Sequence, residues 1–111
     1  MVLMGTSADY AEFVADCLHT TGDIRYRKMF GEYQFYVNDK PVVLVCDDTC
    51  FVKMLPDLEE VMAKAGTGFP YEGAREHYVL DIENRALVEE VIAILEPITK
   101  IPKPKTKKKK A

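Results

Sequence analysis

The sequence predicts a two-layer α+β domain in which helices cover one face of an antiparallel sheet of about five strands. Short segments of alternating apolar and polar residues fill residues 24–55, and turn-forming residues separate them. Stripes of apolar residues at helical spacing occur before and after this block. The positions of these segments give the element order α-β-β-β-β-α-β-α. Because the strands are grouped together rather than alternating with helices, we expect them to pair antiparallel.

The first helix is predicted to begin after Ser7, a good N-cap residue, and to stop before Gly22. Its apolar residues recur at intervals of three and four, which places them on one face of the helix. These inward-facing residues are Tyr10, Phe13, Val14, Cys17 and Leu18. The pattern therefore predicts an amphipathic helix that packs on the sheet.

Four strands are predicted to follow as a meander. Their ranges are 24–30, 33–37, 42–46 and 50–55. The turn at 38–41 separates the second strand from the third because Asn and Asp tolerate left-handed backbone conformations. The third strand is apolar on both faces, which is typical of a central strand. We expect Phe30 and Val45 to lie in the core, so that replacing Phe30 with Ala costs ~3–5 kcal/mol.

The remaining elements are a second helix, a loop, a fifth strand and a third helix. Pro56 suits the first turn of the second helix, which ends at Gly66. Its apolar residues are Leu58, Val61, Met62 and Ala65. The later elements are a loop at 66–76, a strand at 78–82 and a helix that Asn84 caps and Pro97 ends.

Charge divides the chain at residue 99. Residues 1–99 contain all 18 acidic residues and only 8 Lys or Arg, whereas residues 100–111 contain 7 Lys and no acid. We therefore expect one folded domain over 1–99 and a disordered Lys-rich tail over 100–111. The tail is a solvated end, a segment that rests on the acidic body, or a non-specific nucleic-acid contact. The lysines of such a contact would be Lys103, Lys105, Lys107, Lys108, Lys109 and Lys110.

No pattern in the sequence is typical of an enzyme, a metal site or a cofactor site. Cys46 and Cys50 lack the second ligand pair of a structural zinc site, and neither His19 nor His77 belongs to a nucleophile motif. A disulfide between Cys46 and Cys50 across a hairpin is geometrically possible, but a total of three Cys is not typical of a disulfide scaffold. We expect no catalytic residue, metal ligand, cofactor or small-molecule substrate.

The sequence also predicts a cytoplasmic location. Its N-terminus lacks the basic and long apolar regions of a signal peptide. The longest apolar run, residues 42–46, is far too short to cross a bilayer. We therefore expect no contact with a membrane.

Basic and aromatic residues concentrate around the first two predicted strands. Arg and aromatic side chains together favour interfaces, and an apolar sheet face that no helix covers usually marks one. The candidate interaction patch consists of Arg25, Arg27, Lys28, Phe30, Gly31, Tyr33, Tyr36 and Val43. We expect this face to bind a protein partner or a second copy of the chain. The alternative is that the loop at 66–76, with Phe69 and Tyr71, folds over the face and closes it.

Several motifs follow one another in an order that a known family shares. They are the helix Tyr10–Leu18, Arg27-Lys28-Met29-Phe30-Gly31, the strand Tyr33–Val37, the turn Asn38-Asp39-Lys40, Val42–Cys46 with Asp47-Asp48, Phe51-Val52-Lys53, and Phe69-Pro70-Tyr71 before Tyr78. On these motifs, residues 7–97 resemble the N-terminal domain of the TfoX/Sxy family of bacterial competence regulators. The resemblance implies a two-layer α+β fold similar to secretion chaperones and a role, without catalysis or cofactor, in switching on DNA-uptake genes. It also implies action alongside a cyclic-AMP-dependent transcription factor.

Two functional hypotheses from different classes remain open. The first is a non-catalytic protein-interaction module that acts in transcription regulation through a protein partner. The second is a non-specific nucleic-acid-associated protein that uses its Lys-rich tail. A chaperone-type or small-ligand binder follows only from the analogy of fold.

Overall fold

A computed structural model describes residues 8–29 and 32–101, and within these residues it has two α-helices, two 3₁₀ turns and six β-strands. The helices are α1, Ala8–Leu18, and α2, Arg85–Ile98, and the 3₁₀ turns are His19–Thr21 and Pro56–Leu58. The strands are β1, Ile24–Met29; β2, Glu32–Val37; β3, Lys40–Cys46; β4, Thr49–Lys53; β5, Thr67–Gly68; and β6, His77–Leu80. These elements confirm the predicted α+β class.

The six strands of the described residues form one antiparallel sheet in the spatial order β1-β2-β3-β4-β6-β5. Two-residue turns join β2 to β3 at Asn38-Asp39 and β3 to β4 at Asp47-Asp48. All four turn residues have a positive φ, between 53° and 68°. Tight hairpins require this left-handed conformation, and Asn and Asp adopt it more readily than most residues. The sheet therefore ends in a six-residue edge strand, β1, and a two-residue edge strand, β5.

Both helices pack on one surface of the sheet, which we call the inner surface. Alternation along β2 buries Tyr33, Phe35 and Val37 there and leaves the intervening residues half-buried. Val45 is fully buried, which confirms it as a core residue, whereas Phe30 lies outside the described residues. The helices contribute the buried residues Ala11, Val14, Cys17, Leu18, Val88, Val91, Ile92 and Leu95 to the same core.

A bulge in β3 decides which side chains reach the opposite, outer surface. Phe35 pairs with Val43, but the next residue, Tyr36, pairs with Pro41, so Val42 is the extra residue of the bulge. Val43 therefore points inward together with Phe35. The central row of the outer surface consists of the successive cross-strand partners Arg27, Gln34, Leu44, Phe51 and Val79.

The prediction of a second helix between Pro56 and Gly66 is wrong. The segment is instead the 3₁₀ turn Pro56–Leu58 followed by turns through residue 64. Leu58 and Met62 are buried as the stripe predicts, and one helical hydrogen bond, from Met62 N–H to Leu58 C=O at 2.8 Å, joins them. The bonds that follow, from Ala63 N–H to the Glu60 carbonyl and from Ala65 N–H to the Met62 carbonyl, each span only three residues. So short a segment gains its stability from two buried anchors rather than from a regular helix.

Two further details of the helices differ from the prediction, and one agrees with it. Phe13 is 40% exposed, whereas Ala11, which the predicted stripe omits, is fully buried. Pro97 lies inside α2 rather than ending it, since Thr99 N–H still reaches the Leu95 carbonyl at 2.9 Å. Asn84 caps α2 as predicted, because its side chain accepts a hydrogen bond from Leu87 N–H at 3.2 Å.

Candidate interaction surface

Exposed charges are distributed unevenly between the helices and the first strand of the sheet. The helices present acidic side chains to solvent, namely Asp9, Glu12, Asp16, Glu89 and Glu90. Strand β1, in contrast, contains three basic residues and no acid among its six positions. One edge of an otherwise acidic domain is therefore positively charged.

We call this region the basic edge, and it consists of Arg25, Tyr26, Arg27 and Lys28 of β1 together with Tyr36 of β2. All four β1 residues are exposed and Tyr36 is half-buried. Alternation along β1 places Arg25 and Arg27 beside Tyr36 at the outer surface, and Tyr26 and Lys28 on the inner side. Among the described strands, none pairs with the far side of β1.

Arg25 is oriented by two contacts. Its guanidinium carbon lies 4.4 Å from the centroid of the Tyr36 ring, and its Nε donates to Oδ1 of Asp39 at 3.1 Å. Asp39 belongs to the turn between β2 and β3. Both charged side chains are more than half exposed, so this ion pair contributes little to stability. Its effect is to hold the Arg25 side chain across the outer surface of β2.

Tyr26 extends the aromatic core to the edge of the sheet. Its ring centroid lies 4.8 Å from that of Phe35 and 5.6 Å from that of Tyr33, with the second pair edge to face. The side chain is nevertheless 37% exposed, because β1 has no described neighbour on its far side. Sequence reasoning missed Tyr26. The sequence signal that could have identified Tyr26 is the alternation along β1, which places it opposite Phe35.

Arg27 and Lys28 differ from Arg25, which is paired with Asp39. Both are exposed, and neither forms an ion pair within the described part of the chain. Arg27 pairs across the sheet with Gln34, and Lys28 pairs with Tyr33. Neither charge is therefore neutralised by a described neighbour.

The prediction that Tyr33 and Val43 belong to a surface patch is wrong. Tyr33 is 6% exposed and Val43 is fully buried, and both belong to the inner core. The bulge explains Val43, because the register set at the β2–β3 turn would pair Val43 with Gln34 on the outer surface, whereas the extra residue pairs it with Phe35 on the inner surface. Phe30 and Gly31 of the patch lie outside the described residues, as do the tail lysines Lys103, Lys105, Lys107, Lys108, Lys109 and Lys110.

The loop at 66–76 does not close the outer surface with its aromatic rings. Phe69 is 63% exposed and Tyr71 is 50% exposed, although Pro70 between them is buried. Two residues of the predicted loop form β5, and a Cβ on Gly68 would lie 3.4 Å from Cε1 of Phe51. The loop therefore borders the β6 end of the outer surface and leaves both rings open to solvent.

An open cleft of about 550 Å³ is lined by Tyr10 of α1, the β3–β4 hairpin at 48–50, the turns at 61–66 and the segment 79–87 from β6 to α2. Its chemical groups include the Tyr10 hydroxyl and the Cys50 thiol, whose Oη and Sγ atoms are 3.8 Å apart. Burial raises the pKa of the Cys50 thiol to about 12 and also raises the pKa of the Tyr10 hydroxyl. Both groups are thus neutral at physiological pH, and a protonated thiol is a poor nucleophile.

The cysteines are free thiols in the structure. Cys46 pairs with Thr49 across the hairpin, so Cys50 pairs instead with Val45 and points to the inner surface. Cys46 and Cys50 therefore lie on opposite faces of the sheet, and the disulfide that the sequence left open does not form. Within residues 8–29 and 32–101, no three His, Cys, Asp or Glu side chains cluster in a way that could hold a metal ion.

The comparison with protein families agrees with this architecture. Residues 16–89, which include every described strand, match the sequence profile of the TfoX N-terminal domain. The chain belongs to the TfoX N-terminal domain family. The resemblance inferred from the sequence motifs is thereby confirmed. The domain is like those of the competence regulators, and its family consists of non-enzymatic regulatory domains.

A full-length relative extends the similarity of this TfoX N-terminal domain beyond the profile. The chain is 32% identical over 109 residues to an uncharacterized 12.7 kDa protein in the trpE 5′ region of Spirochaeta aurantia. The aligned region covers 96% of this chain and 95% of that protein. No helix of this TfoX N-terminal domain, in the part that the structure describes, is both long and apolar enough to span a membrane.

Proposed function

We propose that this TfoX N-terminal domain is a non-catalytic protein-interaction module that acts in transcription regulation in the cytoplasm, and that its partner binds at the basic edge. The observation that carries the proposal is a six-residue edge strand with three basic residues, exposed on an acidic domain. A long exposed edge strand can pair with a further strand, and charged side chains on it restrict which strand can do so.

Electrostatics favour the same edge as the place of contact. Residues 1–99 carry 18 acidic residues against 8 Lys or Arg, so most of the domain surface repels an acidic partner. Charges on an exposed surface are screened beyond about 8 Å at physiological ionic strength. The local cluster on β1, rather than the net charge, therefore decides how an approaching partner docks.

Family membership supports a regulatory rather than a catalytic role. The chemistry of the open cleft supports it too, because the thiol of Cys50 is held in its neutral form by burial. A partner protein then supplies the contact with DNA or with the transcription machinery. The basic edge supplies the contact with that partner.

A charge-reversal experiment tests the proposal. The full chain carrying Arg25→Glu, Arg27→Glu and Lys28→Glu is compared with the wild type in capture from a nuclease-treated lysate of the source organism. We expect the wild type to capture a transcription factor or another component of the transcription machinery, identified by mass spectrometry, and the variant to lose it.

A matched control keeps the change in net charge the same. Lys53→Glu, Lys64→Glu and Arg75→Glu reverse three exposed basic residues away from β1. This variant should capture the partner as the wild type does. Equal loss in both triple variants would show a non-specific charge effect, and loss on removing residues 102–111 would favour the nucleic-acid hypothesis instead.

A further inference from the structure

We propose that the partner of the basic edge is an extended acidic peptide segment that pairs with β1 as a seventh strand of the sheet. This inference rests on the proposed function and names the chemistry of the partner. It follows from the backbone direction of β1, from the alternation of its side chains and from its charge.

The backbone of β1 presents hydrogen-bonding groups away from β2. Just before β1, the Asp23 carbonyl accepts from Asn38 N–H at 2.8 Å, so the backbone of Asp23 points towards β2. Successive residues of an antiparallel strand direct their N–H and C=O groups to alternate sides. The groups of Ile24, Tyr26 and Lys28 therefore point away from the sheet.

A second turn gives the same assignment independently. Val37 closes the two-residue turn with Lys40, so its backbone groups point towards β3. The preceding residue, Tyr36, then points towards β1, where it pairs with Arg25. Arg25 is thus bonded inward and its neighbours Ile24 and Tyr26 face outward.

Side-chain alternation sets the pattern of the incoming strand. On the outer side, residues opposite Arg25 and Arg27 should be acidic, because opposite charges across a strand pair are favourable. On the inner side, an apolar residue of the incoming strand opposite Tyr26 is favoured, because it would bury the half-exposed ring further. A segment that alternates acidic with β-branched residues meets both requirements.

Charge excludes the two occupants that the chain itself could offer most readily. A second copy pairing β1 with β1 would face three basic residues with three more, and like charges opposite each other destabilise a strand pair. Residues 100–111 contain 7 Lys and no acid, so the tail would be repelled in the same way. The edge is closed to these segments and open to an acidic one.

The probe for the test is the peptide acetyl-Thr-Glu-Val-Glu-Val-Glu-Val-Glu-Thr-amide, added to the ¹⁵N-labelled full chain. Two control peptides replace every Glu with Lys, or every Val with Gly. Amide hydrogen exchange by NMR should show new protection at Ile24, Tyr26 and Lys28 with the first peptide alone. Arg25 and Arg27, which already bond to β2, should change little.

A proline at Tyr26 isolates the backbone contribution. Tyr26→Pro removes an N–H that points to solvent, a position where an edge strand accepts Pro, and Tyr26→Ala is its matched control for the lost ring. We expect the Pro variant to bind the peptide at least about tenfold more weakly than the Ala variant. If circular dichroism shows that Tyr26→Pro unfolds, Lys28→Pro against Lys28→Ala makes the same comparison.

Four outcomes would overturn strand addition. They are protection of these three amides in the free chain, peptide binding without their protection, equal binding of the Gly- or Lys-containing control, and equal affinity of the Pro and Ala variants. Sedimentation of the free chain shows whether protection in the first case comes from a second copy. Capture of the lysate partner is measured separately, so the proposed function survives or fails by its own test.

Discussion

The two edges of the sheet differ in length, charge and surroundings. The β1 edge has six residues, three of them basic, whereas the β5 edge has two residues in a loop that also contains the buried Pro70. Natural sheets avoid edge-to-edge association by shortening the edge strand, by adding Pro or by adding charge. The β5 edge is blunted by its length. Within the residues that the structure describes, the β1 edge is protected only by charge, which would repel a second copy but admit an acidic strand.

The aromatic residues at the two ends of the sheet differ in the same way. Phe35 lies on the inner surface beneath the ring of Tyr26, next to the long edge. Phe51 lies on the outer surface near Gly68 and the His77 ring, next to the short edge. The long edge is therefore built on the main core, and the short edge on a small cluster outside it.

Truncating these two rings should give the largest effect. Phe35 is fully buried, so Phe35→Ala should destabilise the protein by ~3–5 kcal/mol. Phe51→Ala should cost less, because its ring, although only 7% exposed, lies outside the main core cluster. Urea denaturation of both variants measures the difference. An equal or larger cost at Phe51 would mean that the outer surface carries a second core.

Local chemistry made much of this fold predictable from sequence. The Asn38-Asp39 turn and the Asn84 cap were predicted because each depends on the residue's own hydrogen bonds and backbone preference. The alternation of β2 likewise needs no distant information, since every second residue of a half-buried strand is apolar.

The failures depend on partners distant in the sequence. The face of Val43 follows from the bulge at Val42, and nothing local distinguishes that residue in an apolar run. The segment after Pro56 has the apolar spacing of a helix, but two buried anchors replace regular helical bonding there. The patch residues Arg25, Arg27 and Tyr36 do lie together at the edge, and Tyr26 was missed because its exposure depends on which strand ends the sheet.

The glycines that precede the two edge strands should respond differently to substitution. Gly22 has φ +154°, and a Cβ there would lie 2.9 Å from Cγ1 of Val37. Gly22→Ala should therefore cost ~1–3 kcal/mol, through strain in a conformation that only glycine adopts readily. Gly66, before β5, has nothing within 4 Å of such a Cβ, so Gly66→Ala should stay within about 0.5 kcal/mol of the wild type. Similar costs in thermal denaturation would contradict the strain assigned to Gly22.

Two half-exposed tyrosines offer a smaller contrast. Tyr26 packs on two rings at the long edge, so Tyr26→Ala should cost about 1–2 kcal/mol. Tyr71, in the loop after β5, is 50% exposed, and Tyr71→Ala should change stability by under about 0.5 kcal/mol. Denaturant titration of the two variants side by side checks the prediction. A negligible effect at Tyr26 would mean that its ring adds nothing to the folded edge before a partner covers it.

The smallest effect concerns two ion pairs on either side of the β2–β3 turn. Arg25 belongs to the basic edge and donates a hydrogen bond to Asp39, and both side chains are more than half exposed. Lys40 faces α2, where its Nζ lies 3.1 Å from Oε2 of Glu96 and donates to the Glu96 carbonyl at 2.8 Å. The Lys40 side chain is the less exposed of the two cations and also satisfies a carbonyl near the end of α2. The pair on the α2 side should therefore be the one that affects stability.

This pair should also make stability depend on pH. The hydrogen bond from Lys40, followed by that from Asn38, lowers the pKa of the Glu96 carboxyl in the folded protein. A lowered folded pKa stabilises the protein above the unfolded pKa, and that stability is lost as the pH falls through the folded value. The stability difference between the wild type and Lys40→Met should therefore be constant near neutral pH and shrink below about pH 4. Arg25→Met is the control, and denaturation across a pH series should show little effect of it at any pH. A difference for Lys40→Met that persists unchanged in acid would assign the role of Lys40 to the Glu96 carbonyl rather than to its carboxylate.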